Sequence, residues 1–274
     1  LAHSSHRINM RITQRAQRIE PFYVMEMAKA AQRIAAEVKH TDQPMVFLNI
    51  GEPDFTAPPL VQAAAERAVR DGRTQYTNAL GLEALRERIS AWYGSRFGLQ
   101  VPARRIVVTA GASGALLLAC MALIEDGDEV LMPDPSYPCN RHFVSASQGR
   151  AVLLATDAAQ RFQLSASQVK AHWGAKTRGV LLASPSNPTG TSVAAAELKA
   201  IHSVVQQHDG ITMVDEIYLG LSYDDAFAQT ALAIDDQIIS INSFSKYFNM
   251  TGWRLGWLVV PDALVPVIER LAQN

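Results

Sequence analysis

The 274 residues, 48% of them hydrophobic, supply core enough for one large domain or for a domain and part of a second. Lys and Arg number 25 against 26 Asp and Glu, a formal net charge of −1, so no global field favours nucleic acid or an anionic membrane and a small-molecule substrate fits better. The two cysteines, Cys120 and Cys139, offer neither metal-ligand spacing nor a disulfide framework, which points to a reducing cytoplasm.

Leu1-Ala2-His3-Ser4-Ser5-His6 lacks the apolar core and cleavage pattern of a secretory signal, and what precedes Met10 reads either as native sequence or as a leader. Helical patterns follow over 21–39, 59–71 and 82–97, with NIGEPDF at 49–55 between the first two and Gly or Pro at the junctions. The longest apolar run, ALLLACMALI at 115–124, is about half of the ~20 residues a membrane span requires and reads as a buried helix. From residue 106, short apolar runs alternate with helix-length segments: IVVTA (106–110), EVLMP (129–133), AVLLA (151–155), GVLLA (179–183), ITMVD (211–215), IISIN (238–242) and LGWLVV (255–260). Most are apolar on both faces, as parallel strands covered by helices are. The expected fold is therefore α/β, a three-layer α/β/α domain on a mostly parallel seven-stranded sheet. A last helical pattern, 263–272, ends without a Gly or Pro stop signal.

In open α/β sheets ligands gather outside the carboxyl ends of the strands, so the loop after each strand is where reactive groups belong. After IVVTA, Gly111-Ala112-Ser113-Gly114 opens a helix whose free N–H groups suit a phosphate, and equally a plain tight turn. After EVLMP, the prolines of Asp134-Pro135-Ser136-Tyr137-Pro138 hold Tyr137 at the sheet's edge, as a stacking platform or packed on its own loop. After GVLLA, Asn187 stands between prolines in Ser184-Pro185-Ser186-Asn187-Pro188-Thr189-Gly190, its amide able to donate to an anionic ring oxygen. After ITMVD, Asp215 ends an apolar strand and Tyr218 follows; a carboxylate there needs a cation, or serves as a helix cap or structural ion pair. After IISIN come Ser243-Phe244-Ser245-Lys246 and then Gly252-Trp253-Arg254, an amine for a Schiff base with cationic support for a phosphate; a surface lysine is the plain alternative.

The set GEPDF, TAGASGAL, DPSYP, SNPTG, DEIY and SFSKYFNMTGWRLGW, in that order from Asn49 to the end, closely resembles the class I and II aminotransferases of pyridoxal-phosphate (PLP) fold type I. The resemblance implies that Lys246 forms the Schiff base with pyridoxal 5′-phosphate and shuttles the α-proton, and that Asp215 pairs with the protonated ring nitrogen. Tyr218 and Asn187 would hydrogen-bond the ring phenolate oxygen and Tyr137 would stack on the ring. Gly111, Ala112, Ser113, Ser243, Ser245 and Arg254 would hold the phosphate. Tyr76 would reach the phosphate of a neighbouring subunit, which implies a homodimer. Gly51, by its backbone, and Asn187 would line the substrate site. Residues 49–274 then form the large cofactor domain, and 1–48 an arm with the first part of a small domain. The rest of that domain, with the arginine that binds the substrate carboxylate, is expected beyond Asn274.

The function implied is ping-pong transfer of an amino group from an L-amino acid to a 2-oxo acid, in the cytoplasm and without nucleic-acid, membrane or metal partners. A C–S lyase or cyclopropane-forming synthase would keep the same cofactor residues. A non-catalytic PLP-binding regulatory module would need a DNA-binding domain for which residues 1–48 leave little room.

Overall fold

The computed structural model describes residues 10–274; the stretch ahead of Met10, whether leader or native sequence, lies outside the described residues. The chain divides into two compact units, one running to Ile50 and the other Gly51–Asn274. The first contains a single-turn helix, α1 (Gln14–Gln17), capped by the Thr13 hydroxyl, and α2 (Tyr23–Val38), an amphipathic helix none of whose residues is buried.

The second unit begins with α3 (Pro59–Arg70) and α4 (Glu83–Phe97). It continues as β1 (Ile106–Thr109), α5 (Gly111–Leu123), β2 (Glu129–Asp134), α6 (Pro138–Ala146), β3 (Arg150–Ala155), α7 (Ala166–His172) and β4 (Thr177–Ala183). Then come α8 (Ala195–Gln206), β5 (Ile211–Asp215), β6 (Ile239–Ser243), β7 (Gly256–Val259) and α9 (Val265–Gln273). All seven apolar runs read from the sequence are strands of one sheet, ordered β1-β7-β6-β5-β4-β2-β3. The pairs among β2 to β6 are parallel, whereas β7 runs antiparallel to both β1 and β6. The link from β6 to β7, residues 244–255, contains only a 3₁₀ turn, Thr251–Trp253, and no crossover helix, so the chain turns back instead of crossing over. That return keeps the whole link at the carboxyl end of β6.

Apolar residues on both strand faces are what two helical layers require. Val130, Met132, Leu181, Met213, Ile241 and Leu258 pack with Ala115, Leu116, Ala119 and Cys120 of α5, Val144 of α6 and Ile268 of α9. Their sequence neighbours Leu131, Val180, Leu182 and Val214 point the other way, against Val169 of α7 and Leu198, Ile201 and Val205 of α8. The run 115–124 is thus the buried part of α5.

A third cluster seats α4 on β1 and β7. Trp257 of β7 packs against Tyr93, Trp92 and Phe244, with ring centroids 6.5, 5.7 and 4.9 Å away, and Phe248 joins Phe244 at 5.1 Å. Trp257 and Tyr93 are almost wholly buried, and the Trp257 Nε1–H donates to the Tyr93 hydroxyl at 3.0 Å. Tyr93→Phe leaves that indole N–H without its acceptor in a dry site. It should lower unfolding free energy by about 1–3 kcal/mol in a denaturant titration, and a loss no greater than a surface substitution's would show that the bond contributes nothing net.

Candidate active site

Five loops meet at the carboxyl edge of the sheet. Between β1 and α5 the helix starts without a side-chain cap, so the N–H groups of its first turn lack a side-chain acceptor. Gly111 there has φ +72°, and a Cβ on it would come 2.5 Å from Nη2 of Arg254. At Gly256 a Cβ would come 2.7 Å from the Gly111 carbonyl carbon, so only glycine lets β7 run this close to the start of α5. In the link after β6, the Ser245 N–H donates to the Ser243 hydroxyl at 3.0 Å, and Arg254 Nη1 donates to the Thr251 carbonyl at 3.0 Å and reaches the Ser245 hydroxyl at 3.5 Å. Helix N–H groups, the linked hydroxyls of Ser243 and Ser245 and a guanidinium thus lie close together, a donor set suited to a dianion. Ala112 is buried, while the side chain of Ser113 is exposed and only its backbone can serve.

Asp215 ends the central strand and is 6% exposed. Its Oδ1 accepts from the Ile217 N–H at 3.1 Å. Burial pushes its carboxyl up to about 6, opposed by that N–H and by the Asn140 amide, and among the described residues no side-chain cation pairs with it. Asn187, held by Pro185 and Pro188, donates from Nδ2 to the Tyr218 hydroxyl at 3.2 Å. The Tyr218 phenol is raised by burial, lowered by Asn187 and raised again by the Asp215 charge. Tyr137, half-buried where β2 hands over to α6, is raised by burial and by the Cys139 thiol beside it, with further upward pushes from Tyr218 and Asp215.

Lys246 lies between these groups. Its Nζ is 5.9 Å from the centroid of the Tyr218 ring and donates to the Gly51 carbonyl at 3.4 Å. Burial holds its pKa below the ordinary lysine value, with the Glu52 carboxylate opposing and Arg254 adding to the depression. Phe244 and Phe248 anchor the loop in the aromatic cluster on one side, which leaves Ser243, Ser245 and Lys246 to the other.

The structure therefore brings together Gly51, Gly111, Ala112, Tyr137, Asn187, Asp215, Tyr218, Ser243, Ser245, Lys246 and Arg254. Tyr76 stays apart, its side chain fully exposed between α3 and α4. Three neighbours escaped the sequence reading. Asn140, buried three positions after Tyr137, faces Asp215. Glu52 accepts from the Thr251 hydroxyl at 2.7 Å, and both line an open cleft of about 610 Å³. Glu216 is buried beside Asp215 and accepts from Thr230, Ser240 and the Ala231 N–H; burial raises its carboxyl to about 7. Only Glu216 carried a sequence signal, a second acid next to Asp215 at a strand end.

This donor set fits pyridoxal 5′-phosphate. The donor set at Gly111 and Arg254 matches its phosphate, and a buried carboxylate with no cation among the described residues matches its ring N–H. The partly desolvated amine of Lys246 matches its aldehyde. Among the described residues no group of three His, Cys, Asp or Glu side chains is placed to hold a metal, and no helix is long and apolar enough to cross a membrane.

Comparison with known proteins agrees. The family model described as aminotransferase class I and II matches residues 43–274. A valine–pyruvate aminotransferase of Mycobacterium tuberculosis is 42% identical over 93% of this chain and 65% of its own length. An aspartate aminotransferase of Rhizobium meliloti is 36% identical over 91% of this chain and 62% of its own. The crystal structure of an aminotransferase from M. tuberculosis superposes with a TM-score of 0.89 at 40% identity, over 97% of this chain and 67% of that one. The chain thus spans about two thirds, or slightly less, of the length of the curated relatives it matches.

Asp215 gives the site a pH signature in the cofactor-free protein. Between its ordinary value of 3.8 and about 6 the folded carboxyl keeps a proton that the unfolded chain has released, so stability falls as pH rises through that window. Asp215→Asn removes the penalty. The variant should match wild type below pH 4 and exceed it by about 3 kcal/mol above pH 6, and saturating PLP should reverse the order. Equal stability of the two cofactor-free proteins at pH 8 would mean that the carboxylate already has a compensating partner.

Proposed function

The chain belongs to the class I and II aminotransferases, and from that premise we propose that it transfers an amino group from an L-amino acid to a 2-oxo acid by ping-pong exchange on PLP held at Lys246. The observation that carries this reading is the pairing of two groups at one sheet edge: a buried carboxylate with no side-chain cation among the described residues, Asp215, and the partly buried amine of Lys246, of lowered pKa.

When bound, PLP supplies an electron-withdrawing ring that stabilises negative charge at the substrate α-carbon. The chain's own residues supply the rest. Asp215 holds a negative charge against the ring nitrogen and keeps a proton there. Lys246, desolvated and so easier to deprotonate, takes a proton from the α-carbon and returns one. Asn187 donates and Tyr218 presents its hydroxyl at the phenolate oxygen, while Tyr137 covers one ring face. The N–H groups of Gly111, Ala112 and Ser113, the hydroxyls of Ser243 and Ser245, and Arg254 grip the phosphate. The Gly51 backbone and Asn187 face the substrate.

Residues 1–48 are read as an arm and the first part of a small domain, and 49–274 as the large domain. The exposure of Tyr76 suits a side chain that completes the phosphate site of a second subunit in a homodimer. The free Cys120 and Cys139 suit a cytoplasmic location.

Borohydride reduction of the PLP-loaded protein followed by peptide mass mapping should place the cofactor on Lys246, and Lys246→Ala should lower amino transfer on the order of 10³-fold or more. A panel of amino donors that includes valine and aspartate, with pyruvate and other 2-oxo acids as acceptors, should give the parallel initial-rate lines of ping-pong exchange. A label on Lys199 or Lys29, or full activity without the Lys246 amine, would sink the assignment.

A further inference from the structure

Gln163 is 5% exposed, belongs to none of the motifs, and touches neither Lys246 nor Asp215. It follows a tight turn in which Arg161 and Phe162 both have φ +55°, and its side chain lies against the stems of the loop bearing Asn187. There its single Nε2 donates to the Ala183 carbonyl at 3.3 Å, to the Thr191 carbonyl at 2.9 Å and to the Thr191 hydroxyl at 3.3 Å. Ala183 is the last residue of β4 and Thr191 lies past Gly190, so one amide ties the two stems of the 184–191 loop together. Among the described residues its Oε1 is buried without a partner. The reverse orientation would set that oxygen against two carbonyls, so the donor end alone fixes the side chain.

Within the tied loop, the Ser186 N–H donates to the Thr191 carbonyl at 2.9 Å and the Gly190 N–H to the Ser186 carbonyl at 2.8 Å. At its tip is Asn187, bonded to Tyr218, and at its base the Ser184 N–H donates to the Asp215 carbonyl at 3.0 Å. Leaving Oε1 buried and unsatisfied costs free energy that a leucine at 163 would not incur. We propose that Gln163 is a positioning residue for amino transfer: by clamping the stems of the 184–191 loop it sets the Asn187 amide at the oxygen it serves. The inference rests on the assignment of Asn187 to the phenolate oxygen of PLP.

The test uses the full chain as wild type, Gln163→Leu, Asn187→Ala and the double variant, with Gln163→Met in place of Leu should the branched side chain fail to fold. In the PLP-loaded proteins, Gln163→Leu should move the pH midpoint of the bound cofactor's absorbance by about 0.5–1 unit in the direction Asn187→Ala moves it. The double variant should go no further than Asn187→Ala alone, because a residue acting only through Asn187 has nothing left to act on. In the cofactor-free proteins, the amides of Ser186 and Gly190 should exchange with deuterium about tenfold faster in Gln163→Leu than in wild type. An unmoved midpoint, a shift that adds to that of Asn187→Ala, or unchanged exchange overturns the proposal. If wild type takes up no PLP on Lys246, the functional assignment falls instead, while exchange at Ser186 and Gly190 still decides whether the clamp exists.

Discussion

A buried carboxylate at the end of the middle strand is the constraint on which the rest of this site depends. Asp215 lies on β5, with three strands on either side, where removing a charge from water costs several kcal/mol unless something compensates it. Its neighbour Glu216 is given more internal donors, although burial still raises its carboxyl to about 7. Strand alternation turns Glu216 to the opposite face, where two hydroxyls and a backbone N–H satisfy it. Asp215 receives one backbone N–H and the Asn140 amide. The smaller donor set of Asp215 supports the proposal that its carboxylate meets a group the chain does not itself carry.

The same edge is organised by the antiparallel return of β7. Because residues 244–255 turn back without a crossover helix, Lys246 and Arg254 reach the edge from one loop. Packing sorts the residues around this turn. Phe244 and Phe248 enter the cluster around Trp257 and Trp92, where each well-placed aromatic pair adds about 0.5–1.5 kcal/mol beyond its burial, and Ser243, Ser245 and Lys246 face the site. The reactive amine is thus mounted on a packed core, and its position is set by side chains that perform no chemistry.

The strands were legible because a strand covered on both sides must be apolar on both sides, and each of the seven runs fell within two residues of its observed bounds. The loops after them were legible because Gly, Pro, Asn and Ser clusters mark the ends of parallel strands. Strand order and the reversed direction of β7 were not, since neither leaves a periodicity. Asn140 and Gln163 were invisible for another reason. Each acts on groups far along the chain, Gln163 on carbonyls 20 and 28 residues away, and nothing in its neighbours marks it. Glu52 acquires its place only when the segment after Gly51 meets Thr251, 199 residues later.

The hydrogen bonds divide the site into two assemblies that share few members. One joins Gln163, the 184–191 loop, Asn187, Tyr218 and the Asp215 backbone, the set proposed to meet the ring nitrogen and the phenolate oxygen. The other joins Arg254, Thr251, Ser245 and Ser243, with Gly111 packed beside the Arg254 guanidinium, and is the set proposed to hold the phosphate. Lys246 is covalently part of the second yet lies against the Tyr218 ring of the first. Substitutions inside either assembly share partners and must be non-additive, whereas a pair drawn one from each should add, except where both act on the Lys246 amine. On the proposed assignments, phosphate grip and ring contacts are therefore separable on this scaffold, and Lys246 is where the two assemblies meet.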